Sequence, residues 1–400
     1  MTAYHASPLD SPRILARVNR FSKPVQREAE HGLERGKERV ARPRIGDVAE
    51  RAGVSKTAVS FAFNRPERLN EATMARILAV AEELGYRPSP IARRLTARRT
   101  NQIGLVVPQS THDIFANPFL PELIRGIGDV CDAQGIAVVV VPPVRGSIAT
   151  AIEGALVDGL ILLGLEADHP QLRIVRRGGI PVVALDVASW DGAPVIATDD
   201  AGGARAAAEH LAGLGHTDVA IVLIAGHPDS AVDETAGISA RRMSGIRAGF
   251  ELDEDGNGPV QLRVVSAPVS EEGGRAAFAA LADDGLPTAV IAMSDVVAIG
   301  VMNAATDAGL TLPDELSVVG FDDIPAAGWT TPRLTTVHQP IRDKGRRAAE
   351  ELITRIRARR PIDTRTDVLP TRLVVRGSTA PAPAATRKGA AMDGGGAGRA

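Results

Sequence analysis

Cysteine is nearly absent from this chain: Cys131 stands alone among 400 residues. A single thiol can close no intramolecular disulfide and build no cysteine-based zinc cluster, so the fold must rest on its apolar core. Aromatic residues are also scarce, at 3%. The 44% hydrophobic content is therefore carried largely by Ala and Val, which suits Ala-rich helices and Val-rich strands. No run approaches the roughly 18–20 apolar residues needed to span a bilayer. The polar opening lacks the apolar stretch of a secretory signal. These absences predict a soluble, cytoplasmic protein. There is no Walker loop, no HExxH, no GxSxG elbow and no convincing GxGxxG. The eight His residues are scattered without metal-ligand spacing. The expectation is a chain with no catalytic residues, no cofactor and no metal.

What is present is a charge asymmetry hidden inside a net charge of −2. Residues 41–100 hold 12 Lys/Arg against 6 Asp/Glu, and residues 1–40 hold 8 against 5. That leaves −11 for residues 101–400. A basic head on an acidic body suits a phosphate-binding module joined to a domain that does not bind DNA.

The length allows two or three domains. Residues 1–41 mix Arg, Glu, Ser and Pro without apolar periodicity and read as a disordered tail. Residues 378–400 are rich in Ala, Pro and Gly and read the same way, because too little surface can be buried to offset ordering entropy. Between the tails, residues 42–88 read as three short helices. Ile45, Val48, Ala49 and Ala52 share the face of the first. The second runs from about Lys56 to Asn64 with Ser55 as N-cap. The third runs from Glu71 to Leu84, with Ile77, Leu78, Ala81 and Leu84 inward and Gly85 as a stop. Residues 89–101 form a short Arg-rich linker. From residue 102 to 377 apolar runs alternate with several helical stretches: Ile103–Val107, Ala137–Val141, Leu160–Leu163 and Val182–Leu185, then Val219–Ile224, Arg263–Val265, Ala289–Ala292 and Ser317–Val319. Leu334–Gln339, a helix over 340–358 and Thr371–Val375 close the body. Strands this apolar predict two parallel sheets covered by helices on both faces, with a cleft at the strands' carboxyl ends.

The segment 44–64, RIGDVAERAGVSKTAVSFAFN, meets the requirements of a helix-turn-helix. Ala49 is small where the second helix must cross, Gly53 can supply a positive φ at the turn, and Val54 and Val59 fill the space between. Lys56, Thr57 and Phe61 are then left where side chains can reach base edges in a major groove.

The run from DVAERAGVSKTAVSFAFNRPERLN onward (47–108) closely resembles the LacI/GalR family of bacterial transcription regulators. So do NPFLPELIRGI (117–127), VDGLIL (157–162), LGHTDVAIV (214–222), MSDVVAIG (293–300), LPDELSVVGFDD (312–323) and LTTVHQP (334–340). The resemblance runs in order over about 43–377. It implies an α/β protein with an all-α helix-turn-helix head and a two-lobed body like that of periplasmic binding proteins. It also implies a homodimer, an inverted-repeat operator in double-stranded DNA and a small-molecule effector, such as a sugar or related metabolite. Ser55, Lys56, Thr57, Ser60, Phe61 and Asn64 fall on the family's DNA-reading positions. Ala92, Arg93 and Leu95 fall on its hinge helix, where a Leu enters the minor groove and kinks the duplex. The family often has Arg where this chain has Phe61, which can contact a thymine methyl or tuck against the third helix as core but cannot bond guanine bidentately.

In the body, the resemblance implies that Phe119, Asp199, Arg242 and Asp295 line the effector cleft. Asp295 stands for the ligand carboxylate and Arg242 for the residue that holds polar ligand atoms, with Arg241 beside it. Asp199 serves equally well as a helix cap. Where the family often places an aromatic ahead of the helix near Ser270, this chain has Ala267-Pro268-Val269, so a stacking platform is missing. A periplasmic sugar-binding protein would share the body but not the basic head.

Overall fold

The computed structural model describes residues 43–87, 99–173, 175, 179–224, 237–253, 256–358 and 364–383. The chain divides into two compact units, one within residues 1–93 and one within 94–400.

The first unit is all-helical: α1 (Ile45–Ala52), α2 (Lys56–Asn64) and α3 (Glu71–Glu83). Val48, Ala49, Ala52, Val59, Ala62, Ile77 and Ala81 form its core. Gly53 takes a φ of 64°, and the N–H groups of Gly53 and Val54 reach back to the carbonyls of Glu50 and Ala49. A side chain would strain that left-handed turn, so the chain reverses there at Gly. Asn70 caps α3 by accepting from Thr73 N at 2.8 Å. Leu78, expected to point inward, is 40% exposed. Two partner helices cover only a narrow stripe of α3, which Ile77 and Ala81 fill at i and i+4, and Leu78 lies a further 100° round.

The second unit contains two six-stranded sheets. The first lobe holds β1 (Gln102–Val106), β2 (Ala137–Val141), β3 (Gly159–Leu163), β4 (Val182–Leu185), β5 (Val195–Thr198) and β11 (Thr366–Leu369), in the order β11-β5-β4-β3-β1-β2. Every pairing in it is parallel. The second lobe holds β6 (Asp218–Ile224), β7 (Gln261–Ala267), β8 (Ala289–Ala292), β9 (Ser317–Asp322), β10 (Thr335–His338) and β12 (Arg372–Val374), in the order β12-β10-β9-β8-β6-β7. Only its β10–β12 pair is antiparallel. The two lobes thus share one strand permutation, which makes β4 the counterpart of β9 and β5 that of β10.

Helices α4 (Thr111–Ala116), α5 (Phe119–Gln134) and α6 (Ile148–Gly154) belong to the first lobe. Helix α7 (Asp200–Gly213) leads from β5 into the second lobe, which also holds α8 (Gly237–Gly249), α9 (Glu271–Asp283) and α10 (Asp295–Asp307). After β10, α11 (Ile341–Ala358) returns to pack on α5 of the first lobe. The strands unread in the sequence are β5, only four residues long, and β11, an edge strand with Asp367 and an exposed Val368. β11 is not a continuous apolar run, and no helical stretch sets β5 off from β4. Residues 378–382, expected within the C-terminal tail, instead bond to the second lobe. Buried Ser378 donates through Oγ to Val318 O at 2.6 Å, and Ala382 N donates to Leu214 O at 2.9 Å.

Candidate DNA-reading helix and interlobe cleft

In the head, Ser55 caps α2 by accepting from Ala58 N at 3.1 Å. Lys56, Thr57 and Asn64 are exposed, while Ser60 and Phe61 are half-buried. Asn64 Nδ2 donates to Ser60 Oγ at 3.3 Å, and the Arg68 guanidinium lies 5.6 Å from the Phe61 ring centroid. The helix therefore carries a polar outer face with one aromatic, the chemistry needed to meet base edges and thymine methyls. Ala92, Arg93 and Leu95 lie outside the described residues.

In the body, a polar cluster bridges the carboxyl ends of the two sheets. Asp186 follows β4 at φ 57°, and Asp322 ends β9 at φ 124°. Both carboxylates are buried, and both hold a backbone conformation that costs free energy for a residue with a Cβ. They occupy equivalent places in the two lobes, and a chain of polar groups joins them. Lys344 Nζ, on α11, donates to Asp186 Oδ1 at 2.6 Å and Oδ2 at 2.7 Å, and to Gln339 Oε1 at 2.8 Å. Gln339 Nε2 in turn donates to Asp322 Oδ1 at 2.5 Å, and Ser294 Oγ donates to Asp322 Oδ2 at 3.2 Å. Thr198 Oγ1 lies 3.5 Å from Gln339 Oε1.

A second set of contacts holds the cationic side. A Cβ at Gly245 would sit 2.1 Å from the Ala201 carbonyl oxygen, so only glycine lets α8 approach α7 this closely. That approach brings Arg241 and Arg242 of α8 onto Asp200. Arg242 donates to Asp200 Oδ1 at 3.0 Å and to Met293 O at 2.5 Å, with its guanidinium 3.5 Å from the Phe321 ring centroid. Arg241 donates to Asp200 Oδ2 at 3.1 Å and Asp186 O at 2.8 Å, and its guanidinium is 3.8 Å from Glu166 of the first lobe. Paired arginines beside carboxylates, one of them buried, suit bidentate bonding to hydroxyl-rich molecules.

The four cleft residues read from the sequence land differently. Phe119 starts α5, half-buried, with its ring centroid 5.5 Å from Lys344 Nζ. Arg242 lies within the cluster. Asp199 caps α7, accepting from Gly202 N at 2.9 Å. Asp295 is fully buried, and its oxygens accept from Thr336 Oγ1 at 2.5 Å and Ile324 N at 2.9 Å. Burial, reinforced by the neighbouring Asp322 charge, pushes the Asp295 carboxyl up to about 8. Burial also pushes Asp322 up to about 6, with the nearby Arg242 opposing the rise. Asp186 and Asp322 were missed by sequence reasoning. The available signal was an Asp at the end of equivalent strands, in ALDV and GFDD.

The head, residues 44–89, matches the family profile described as bacterial regulatory proteins of the lacI family. Residues 208–379 match a periplasmic binding protein-like domain. The HTH-type transcriptional regulator DegA of Bacillus subtilis is 32% identical over 347 residues, covering 84% of this chain and 98% of that protein. The ribose operon repressor of Escherichia coli is 33% identical over 319 residues, covering 78% and 92%. The structure of the Lac repressor dimer bound to operator and the anti-inducer ONPF superimposes with a TM-score of 0.67 at 25% identity, over 85% of this chain and 100% of that one. A lacI-type helix-turn-helix ahead of a two-lobed binding fold defines a class of ligand-responsive DNA-binding regulators. The chain belongs to the LacI family and is a regulator of transcription. No helix among the described residues is long and apolar enough to cross a membrane.

Proposed function

We propose that the chain is a cytoplasmic, homodimeric repressor that binds an inverted-repeat operator and releases it when a sugar or related polyol enters the interlobe cleft. The observation that carries this reading is the pair Asp186 and Asp322, strained and buried at equivalent strand ends and joined through Gln339. Carboxylates so placed accept from ligand hydroxyls, and Arg242 donates to ligand oxygens. The relatives named for a ribose operon and for the Lac repressor support the same ligand class. In this reading Ser55, Lys56, Thr57, Ser60, Phe61 and Asn64 meet the major groove, and Leu95, with Ala92 and Arg93, enters the minor groove. Phe119 contributes apolar cover to the ligand. Asp199 and Asp295 support the site from behind as a helix cap and a buried brace. No residue acts as a catalyst.

Effector and operator then change each other's affinity by one common factor. A genome-wide footprint of bound DNA, followed by operator titration with the sugars whose genes lie nearby, tests the proposal. The expected result is an inverted repeat and an operator affinity that falls at least tenfold with the correct sugar. Arg242→Gln should keep operator binding and lose the response. A footprint without a repeated motif, or a full sugar response in Arg242→Gln, would overturn the reading.

A further inference from the structure

Lys344 is the exceptional group of the cleft. Its side chain is fully buried, and an ammonium carries three protons, all with acceptors here: Asp186 Oδ1, Asp186 Oδ2 and Gln339 Oε1, within 2.8 Å. The Phe119 ring centroid, 5.5 Å away, adds a cation-facing aromatic. Burying an ammonium is costly, and an apolar side chain of the same length would fill the volume without that cost. The charge must therefore be explained by what it faces, which is Asp186, a buried cleft carboxylate contributed by the first lobe. Asp322, its counterpart in the second lobe, accepts hydrogen bonds from the uncharged Gln339 and Ser294. One of the two matched carboxylates thus carries a built-in cation bonded to both its oxygens, and the other does not.

We propose that Lys344 is a specificity-determining residue, a resident cation that occupies Asp186 and makes the cleft select uncharged, hydroxyl-rich effectors over those bearing an ammonium. The inference rests on the reading of the interlobe cleft as a sugar site. With Lys344 in place, an amino sugar brings a second positive charge to a carboxylate that is already neutralised. A neutral sugar meets no such repulsion and bonds to Asp322 and Arg242 instead. Without Lys344, Asp186 becomes a buried anion in need of a cation, and the ligand's own ammonium can supply it.

The test is calorimetric titration of the full-length wild type and Lys344→Met with D-ribose, D-glucose, cellobiose and D-glucosamine. In Lys344→Met, the affinity for glucosamine relative to glucose should rise at least tenfold over the wild-type ratio. A merely structural ion pair would lower affinity for all the sugars together and leave that ratio unchanged, which overturns the proposal. If neither protein binds any of the four, the cleft is not a sugar site, and the proposal falls with that reading. Lys344→Ala provides an independent readout, because n-butylammonium can refill the vacated space. It should raise the melting temperature of Lys344→Ala by several degrees and leave that of Asp186→Asn/Lys344→Ala unchanged. Equal shifts in the two variants would show that Asp186 needs no resident cation. Should Lys344→Met fail to fold, Lys344→Ala purified in n-butylammonium takes its place: recovery of a cooperative melt counts for the proposal, and failure there counts against it.

Discussion

The two lobes repeat one strand order and place an aspartate at the end of the equivalent strand, yet they treat the two carboxylates in opposite ways. Asp186 in the first lobe is bonded twice to a buried ammonium. Asp322 in the second lobe sits among amide and hydroxyl donors, and its charge helps to raise the neighbouring buried Asp295 carboxyl. The first lobe pairs its buried carboxylate with a cation, whereas in the second lobe burial, reinforced by the Asp322 charge, keeps a proton on Asp295. The fold fixes where a carboxylate must stand, and the local side chains decide which partners it finds.

The crowded acids of the second lobe should make stability depend on pH, and this is the largest effect expected. A carboxyl raised from 3.8 to about 8 holds its proton in the folded state after the unfolded chain has released it. The folded state therefore binds more protons between about pH 4 and 8, and its stability falls as pH rises through that window. Each extra proton held is worth about 1.4 kcal/mol per pH unit at full effect. Asp295→Asn removes that proton uptake, so the fall in urea midpoint from pH 5 to pH 8 should be distinctly shallower than in wild type. Parallel profiles for the two proteins would mean that Asp295 is ionised like an ordinary acid, and the contrast between the lobes would lose its basis.

Much of the fold was legible because it rests on periodicity. Ala137–Val141, Val182–Leu185 and Ala289–Ala292 are strands with the bounds that their apolar runs suggest. Lys56–Asn64 is a helix bounded by a cap that can be recognised from one residue, Ser55. The site was less legible because its geometry depends on three passages of chain between the lobes. Asp186 and Lys344 lie 158 positions apart, and no local pattern announces that they meet. Asp295 illustrates a related limit. An acid at a strand-to-helix junction has the same local sequence whether it is open to a ligand or enclosed by Thr336 and Ile324.

Asp199 offers a smaller test, at the point where the chain leaves the first lobe for the second. Its side chain caps α7 through Gly202 N, whereas Asp200, the next residue, holds both Arg241 and Arg242. Asp199→Ala should cost about 1 kcal/mol of stability, the usual worth of a helix cap. Effector affinity should stay within twofold, because the residue that orients the arginines is intact. A tenfold loss of effector affinity with little change in stability would return Asp199 to the ligand side of the cleft.

The smallest effect belongs to the rim, where Arg241 of the second lobe faces Glu166 of the first at 3.8 Å. Both side chains are partly exposed, at 26% and 33%, so water and salt screen their attraction. The arginine also has better partners in Asp200 at 3.1 Å and the Asp186 carbonyl at 2.8 Å, which hold its guanidinium in place without Glu166. Glu166→Gln should therefore cost only a few tenths of a kcal/mol at low ionic strength and nothing measurable at 1 M salt. The comparison with the interior pair is direct, because both pair an acid of the first lobe with a cation, and they differ in their access to water. Chemical denaturation of Glu166→Gln at low and high salt measures this. A loss of 2 kcal/mol or more that persists at 1 M salt would place the rim pair in the same class as the buried pair Asp186 and Lys344.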